Sequence, residues 1–493
     1  MLKKLLSLLG DAAVYGVSTL LSRVVGFLLI PVYVRYLGPT ENGIMAMLMI
    51  VTMLFGPLAN LGMSNAVYRR FNQAKDESGC RIVLGTGLLS VILGSLACLC
   101  VWMIFADWIA RDFVGDASTT SLVRLALLTA AFNTIGQVPN VALRARRQVK
   151  TVVALNLLSV AVSIFTSILF VVGFEMGVKG WLLGLLAADT VFMVAAFACT
   201  WHMFDLKIDR ATWKSMLSYG LPFVPHRLQA VALAEFSQYM VREMLGLDEA
   251  GIYAMAGKFA LPVALIVGAI QESWIPFKFQ MHAQEADARP YFRSIFTYYI
   301  AALTYLWVGV SLWGFEVVRL MTTPPFYAAA YLVPMLALLR ASQGIYYMLG
   351  TGVELSDRTG VYPLISLAGL VTVVVGAFAL VGPLGALGAA LASVLCVWVM
   401  AAIVYTFAQR RLKIPYDWPT IGCFMLLASG CVAGAYAIQG WPLAMRLATY
   451  LGVSLAYPLV GFLLLIRSSA ERDRMQILWL KFRSLRKPVG GVA

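Results

Sequence analysis

Charged side chains are scarce in this sequence. Of its 493 residues only 13% are Asp, Glu, Lys or Arg, whereas 61% are hydrophobic, and the mean hydropathy is +0.82. Soluble chains are about one-quarter charged, so too few polar residues are present to cover a water-exposed surface. Apolar runs of about 20 residues, long enough to cross a bilayer, recur along the whole length. We therefore expect an all-α polytopic membrane protein.

Enzyme motifs and paired metal ligands are absent. There is no Walker loop, HExxH or GxSxG motif, which argues against an enzyme and against ATP-driven transport within this chain. The seven cysteines lie mostly in apolar runs and form no CxxC pair, so we expect neither a disulfide framework nor a metal cofactor. The net charge of +14 comes without aromatic-interleaved basic stretches, and no nucleic-acid partner is expected.

Fourteen apolar segments are present. They cover residues 13–35, 43–68, 82–106, 121–143, 152–174, 180–203, 216–241, 250–277, 292–318, 326–350, 360–381, 384–408, 418–438 and 446–466. If the N-terminus is cytoplasmic, 27 of the 38 Lys and Arg residues, Lys278 among them, fall in cytoplasmic segments and 6 fall in outer ones. This asymmetry follows the positive-inside rule and predicts a multi-pass protein with both termini in the cytoplasm.

An internal repeat divides the chain. Residues 37–47 and 245–255 share the pattern Leu-Gly-x-x-Glu-x-Gly-Ile-x-Ala-Met, at an offset of 208. Two shorter matches follow the same order, Tyr-Gly at 15–16 and 219–220 and Gly-x-x-Gly-x-Leu at 177–182 and 382–387. We therefore predict about 14 transmembrane helices, arranged as two six-helix lobes in a parallel repeat plus two extra C-terminal helices. This is a transporter architecture, with the site expected between the halves.

Four regions follow from the repeat. The N-terminal lobe covers 1–204, the C-terminal lobe 205–412, the last two spans 413–467 and a basic cytoplasmic tail 468–493. In the tail, residues 475–483 alternate bulky apolar residues with cations. Two interpretations remain open for this tail. It forms an interfacial helix on anionic lipid, or it is a frayed basic segment that only sets the topology.

Ionisable and amide side chains interrupt the apolar segments. A charge at mid-membrane costs about 2.5–3.5 kcal/mol even on the lenient insertion scale. We therefore expect each charged side chain in a span to have a structural or functional role. The cations are Arg23, Arg124, Arg227, Lys258 and Arg340, and the carboxylates are Asp189, Glu235 and Glu272. Amides that we expect to line a polar cavity are Asn133, Gln137, Asn140, Asn156 and Gln343.

The excess of cations indicates the chemistry of the cavity. Guanidinium groups bind phosphate through paired hydrogen bonds, and lysine acts as a point charge. The five cations therefore predict a phosphate- or pyrophosphate-bearing substrate. The alternative is internal ion pairing, Arg227 with Glu235 and Lys258 with Glu272. The three carboxylates are candidates for a coupling ion, H⁺ or Na⁺, and the sequence does not choose between them.

The first span and its loop resemble a known family. Tyr15-Gly16, Arg23-Val-Val-Gly-Phe27 and the run from Pro31 to Gly43 are similar to the polysaccharide transporter (Wzx-type flippase) family of the multidrug/oligosaccharidyl-lipid/polysaccharide (MOP) exporter superfamily. The resemblance implies flipping of undecaprenyl-pyrophosphate-linked oligosaccharide across the bacterial inner membrane by alternating access. The product would be O-antigen, capsule or exopolysaccharide.

The resemblance also implies partners and roles for residues. Arg23 matches, by position, a first-helix arginine that binds pyrophosphate in related lipid II flippases, while Arg227, Lys258 and Arg340 are matched by depth alone. The last two helices would line a groove for the lipid tail or simply pack. Membrane lipids, a polysaccharide polymerase and chain-length proteins are the implied partners. Two other functions stay open: a cation-coupled drug antiporter of the same superfamily, and a scaffold for polysaccharide synthases.

Overall fold

The computed structural model describes residues 26–467, apart from 75, 286, 357 and 358, together with residue 24. Within this part of the chain every regular element is helical. The main helices are α1 (Pro39–Asn60), α2 (Met63–Gln73), α3 (Glu77–Ile104), α4 (Thr120–Ala145), α5 (Val149–Ile168), α6 (Gly177–Thr200), α7 (Arg210–Gly220), α8 (Phe223–Leu245), α9 (Leu247–Phe259), α10 (Leu261–Gln284), α11 (Arg289–Met321), α12 (Ala329–Leu349), α13 (Thr351–Leu355), α14 (Tyr362–Leu384), α15 (Ala386–Arg411), α16 (Trp418–Ala437) and α17 (Leu443–Arg467).

Most of these helices are long and apolar enough to cross a membrane. Eleven segments qualify among the described residues, and α9 with α10 makes a twelfth if the pair, bent by 49°, is one span. The predicted all-α polytopic membrane fold is confirmed. The predicted span 13–35 lies largely outside the described residues. The predicted span 216–241 is split into α7 and α8, with Pro222 next to the break.

The bend between α9 and α10 has a local cause. Ala260 separates the two helices, and Pro262 occupies the first turn of α10. Proline lacks an N–H and its ring clashes with the carbonyl one turn earlier, so a helix ends or bends there. By contrast Pro57, Pro139 and Pro334 lie inside continuous helices.

The chain folds into two compact units. Unit 1 comprises 1–255, 321–327 and 373–392, and unit 2 comprises 256–320, 328–372 and 393–493. In unit 1, α4 packs against α1, α3 and α6, and α5 packs against α6. Its core contains Met47 and Phe55, both fully buried. In unit 2, α10 packs against α12, and α16 packs against α17.

The repeated motif forms a two-fold-like contact inside unit 1. A methyl group on Gly43 would lie 2.1 Å from the Leu247 carbonyl oxygen, and one on Gly251 would lie 1.9 Å from the Pro39 carbonyl oxygen. Gly43 and Pro39 correspond to Gly251 and Leu247 at the offset of 208, so the contact is reciprocal. Glycine is needed at both positions because the two backbones touch.

Candidate functional site

A chain of hydrogen bonds links three of the predicted polar residues in unit 1. Asn133 Nδ2 donates to Asp189 Oδ1 at 2.9 Å and so joins α4 to α6. Gln137, one turn along α4, donates from Nε2 to Asn133 Oδ1 at 3.5 Å. Asp189 is half-buried, whereas the two amides are exposed. All three lie in membrane-spanning segments, where polar clusters of this kind mark substrate or ion pathways.

Two further predicted amides lie in the same unit. Asn140 is buried two turns along α4 from Asn133, and its Oδ1 accepts a hydrogen bond from Arg144 Nε at 3.1 Å. Asn156 is half-buried on α5. Because α4 carries Asn133, Gln137 and Asn140 at spacings of four and three residues, these three side chains share one helix face.

The predicted cations of unit 1 have different surroundings. Arg227 is exposed in the first turns of α8, just after the break that precedes this helix. It has no carboxylate partner among the described residues, whereas Glu235 on the same helix is half-buried and engaged. Arg124 lies near the beginning of α4, and its Nη2 is 3.4 Å from Asp107 Oδ1 in an exposed pair. Arg23 lies outside the described residues.

Arg340 occupies the middle of α12 in unit 2. It is half-buried, and its Nη1 donates to Gln343 Oε1 at 3.3 Å, one turn further on. No carboxylate pairs with it in the described part of the chain, so a neutral amide is the partner that the structure gives to this intramembrane charge. A guanidinium carries five N–H donors, and most of them stay available for a ligand.

The bend between α9 and α10 separates two other predicted residues. Lys258 is half-buried at the end of α9, one residue before the last of that helix, and Glu272 is exposed on α10. The sequence left open an internal ion pair between these two residues, which are 14 positions apart. A common face at that spacing requires a straight helix, and a 49° bend lies between the two residues.

A buried ion pair in unit 2 was missed by the sequence analysis. The sequence analysis placed Lys278 just beyond the predicted span 250–277, in a segment expected to be cytoplasmic, whereas the structure extends this helix to Gln284. It lies inside α10 with only 1% of its surface exposed, and it pairs with Glu354 of α13. Tyr362 donates to Glu354 Oε1 at 3.1 Å. Trp274, one turn before Lys278, donates to Thr351 at 3.1 Å. The sequence feature that could have indicated the burial of Lys278 is the apolar run around it (Trp-Ile-Pro-Phe-Lys-Phe).

Unit 2 also contains an apolar groove of about 440 Å³. Helices α11, α12, α15 and α16 line it, with Phe296, Leu349, Val397 and Met425 among the apolar contributors. Its polar atoms are satisfied, since Trp398 Nε1 donates to the Ser342 hydroxyl at 2.9 Å. Helix α16 therefore contributes to this apolar groove, whereas no residue of α17 lines it. The lipid-tail groove that the resemblance implied for the last two helices stays a prediction.

The described residues contain no group of three His, Cys, Asp or Glu side chains that could hold a metal ion. The candidate residues form a separate set in each unit. Unit 1 holds the hydrogen-bonded amides and carboxylate of α4 and α6 and the exposed Arg227, and unit 2 holds Arg340 with Gln343. The cations can bind an anion, and the carboxylate can carry a proton or a small cation. It offers no activated nucleophile adjacent to a base.

Solved structures with this fold include a lipid flippase and multidrug transporters. The lipid II flippase MurJ, in an inward closed conformation, superposes with a TM-score of 0.67 at 12% identity, over 90% of this chain and 98% of that one. A multidrug resistance MATE family transporter of the MOP superfamily, in an inward-facing conformation, gives 0.63 at 16% identity, over 78% of this chain and 93% of that one. Identities this low show the fold alone.

Sequence comparison identifies the family. A protein of the Lsg locus of Haemophilus influenzae is 22% identical over 286 residues, covering 56% of this chain and 67% of that protein. The profile of the family described as polysaccharide biosynthesis protein matches residues 8–282, which is more than half of the chain. The chain belongs to the polysaccharide biosynthesis protein family.

Proposed function

We propose that this protein is a flippase for lipid-linked oligosaccharide. In this proposal it moves undecaprenyl-pyrophosphate-linked glycan across the bacterial inner membrane by alternating access, for the synthesis of a cell-surface polysaccharide. Family membership supports a role in polysaccharide biosynthesis. The fold that it shares with a lipid II flippase, over 90% of the chain, supports the translocation of a lipid-linked sugar.

The observation that carries this proposal is that Arg340, a cation inside a spanning helix, has no carboxylate partner among the described residues. A cation without a counter-charge is energetically costly in a spanning helix. The hydrogen-bond partner of Arg340 is the neutral amide of Gln343. A diphosphate would supply the missing negative charge and accept paired hydrogen bonds from the guanidinium. Arg227 is a second cation without a carboxylate partner among the described residues, and in the proposal it serves the same ligand chemistry.

We further propose a coupling site at Asp189. Its carboxylate is hydrogen-bonded to Asn133, and the oxygens of this cluster suit either a proton or Na⁺. The same feature favours the second candidate function, a cation-coupled antiporter, because MATE transporters share the fold. The two functions differ in substrate charge, since the flippase needs the arginines and an exporter of cationic drugs does not.

A cellular assay separates these functions. We would replace the chromosomal gene with variants and measure both surface polysaccharide and the lipid-linked intermediate. We expect Arg340→Gln to lower surface polysaccharide by about tenfold, because one charge-assisted contact contributes about 1.5–3 kcal/mol. The intermediate should accumulate in the membrane of the variant, since synthesis precedes flipping.

The control is Arg111→Gln. Arg111 is an exposed cation of the short π-helix Ile109–Val114 between α3 and α4. Its loss changes net charge equally and should leave polysaccharide at the wild-type level. Normal polysaccharide in Arg340→Gln, at matched protein abundance, would contradict the proposed role of this cation. A deletion strain that keeps wild-type polysaccharide would rule out the flippase function altogether.

A further inference from the structure

A small polar cavity lies in unit 1, and none of the intramembrane cations, amides or carboxylates discussed above lines it. It has a volume of about 290 Å³ and lies between the end of α2 and the end of α7. Two exposed arginines, Arg69 and Arg70, line it together with Ser215, Ser218 and Tyr219. None of its lining residues is acidic. The cavity is therefore cationic and rich in hydrogen-bond donors.

Close helix packing holds the two sides of this cavity together. Gly62, which precedes α2, has φ of +72°, and a methyl group there would lie 2.1 Å from the carbonyl oxygen of Gly220, the last residue of α7. The two backbones therefore touch two turns before Arg69. Because this contact fixes α2 against α7, the arginines of one helix face the hydroxyl groups of the other.

Both guanidinium groups are held by neutral partners. The Arg69 guanidinium lies 4.3 Å from the centre of the Tyr219 ring, and Arg70 Nη2 donates to the Ser215 hydroxyl. Neither arginine forms an ion pair with any carboxylate in the described ranges. Stacking on a ring face uses the plane of the guanidinium and leaves its edge donors available. Two positive charges thus converge without an internal counter-ion.

This chemistry fits a phosphate group. Guanidinium edges bind phosphate oxygens through paired hydrogen bonds. The Ser215 hydroxyl accepts from Arg70 and keeps its own proton to donate to a remaining oxygen. A cavity of this size is at the lower limit of small-molecule sites, which measure about 300–1,000 Å³. It can take a phosphate or diphosphate, whereas an oligosaccharide is too large.

We propose that this cavity is a loading site for the phosphate groups of a lipid-linked substrate, at the end of unit 1 that the charge pattern predicts to be cytoplasmic. The loading role rests on the proposed flippase function. The phosphate could also belong to the headgroup of an anionic phospholipid. Both sources offer the same chemistry to Arg69 and Arg70, and the experiment must distinguish them.

The test is native mass spectrometry of the full-length protein released from detergent micelles. Undecaprenyl pyrophosphate and phosphatidylglycerol would be offered separately at equal concentration, and the fraction of protein carrying a bound lipid would be measured. We expect Arg69→Gln/Arg70→Gln to weaken binding of undecaprenyl pyrophosphate about a hundredfold, because two charge-assisted contacts of about tenfold each are removed. Arg69→Lys/Arg70→Lys should retain part of the binding, since charge remains but paired geometry is lost.

The matched control removes two other cations from the same end of the unit. Arg210 and Lys214 are exposed on α7 and do not line the cavity, so Arg210→Gln/Lys214→Gln should bind as the wild type does. If Arg210→Gln/Lys214→Gln lost as much lipid binding as Arg69→Gln/Arg70→Gln, binding would depend only on overall charge. That result would overturn the proposed site. Equal adducts with the two lipids would refute the loading role while supporting phosphate binding.

This readout is independent of transport. Binding that depends on Arg69 and Arg70, in a protein that does not flip lipid in liposomes, would refute the proposed function and leave the phosphate site standing. Normal flipping together with unchanged binding in Arg69→Gln/Arg70→Gln would refute the site alone. Elution volume on size exclusion and far-ultraviolet circular dichroism would verify that each variant is folded.

Discussion

The buried pair of Lys278 and Glu354 provides an asymmetric prediction about stability. The Lys278 side chain is 2% exposed, whereas the Glu354 side chain is 30% exposed. Removing one partner of a buried ion pair leaves the other charge without a counter-ion. The loss in unfolding free energy depends on how far water can solvate that remaining charge. Glu354→Gln therefore leaves an enclosed ammonium, while Lys278→Met leaves a carboxylate that is partly hydrated and still bonded to Tyr362.

The two single variants should differ by a measurable amount. For Glu354→Gln we expect a loss of about 3 kcal/mol in unfolding free energy, at the lower end of the range for breaking a buried pair. For Lys278→Met we expect about 1 kcal/mol, because the remaining carboxylate keeps a hydrogen bond and some solvent. The double variant should resemble Lys278→Met, since neither charge is then stranded.

The assay is unfolding by sodium dodecyl sulfate in mixed micelles, followed by tryptophan fluorescence. Lys413→Met serves as control because Lys413 is exposed, and surface substitutions usually stay within about 0.5 kcal/mol. The reasoning is refuted if Glu354→Gln is no more destabilising than Lys278→Met. Strict additivity of the two single effects in the double variant would refute it as well, because coupled residues must deviate from additivity.

Three further predictions follow from individual contacts. Gly251→Ala should destabilise the protein by about 1–3 kcal/mol through overpacking, whereas Gly257→Ala, which meets open space, should be neutral or stabilising in the same detergent titration. Asp417→Ala should cost about 1–2 kcal/mol, because Asp417 caps α16 and also pairs with Arg293 at 3.6 Å; an unchanged midpoint would contradict both roles. Asp189→Asn should abolish the response of transport to an imposed proton or sodium gradient, and a retained response in proteoliposomes would exclude Asp189 as the coupling site.

The helical spans could be predicted from the sequence, since apolar length is a local pattern. The motif shared by residues 37–47 and 245–255 can be read from the sequence, and the structure places two of its glycines, Gly43 and Gly251, in a reciprocal contact. The bend between α9 and α10 lies next to Pro262, where proline chemistry supplies a local cause.

The partners of the polar residues could not be predicted in the same way. Lys278 and Glu354 are 76 residues apart, and no local rule connects them. Charge counting assigned Lys278 to a loop because a cation near the end of a span is usually exposed. Asn133 and Asp189 were both selected for their depth, but their hydrogen bond depends on how α4 packs against α6.

The central claim is that the chain itself translocates a lipid-linked glycan. The most direct measurement uses proteoliposomes that contain the purified protein and a fluorescently labelled undecaprenyl-pyrophosphate oligosaccharide. A membrane-impermeant reductant quenches the label in the outer leaflet, so the time course of quenching reports flipping. We predict fast and complete quenching with the wild type, and quenching confined to the outer leaflet with Arg227→Gln/Arg340→Gln. Wild-type traces that match those of protein-free liposomes would contradict the flippase function.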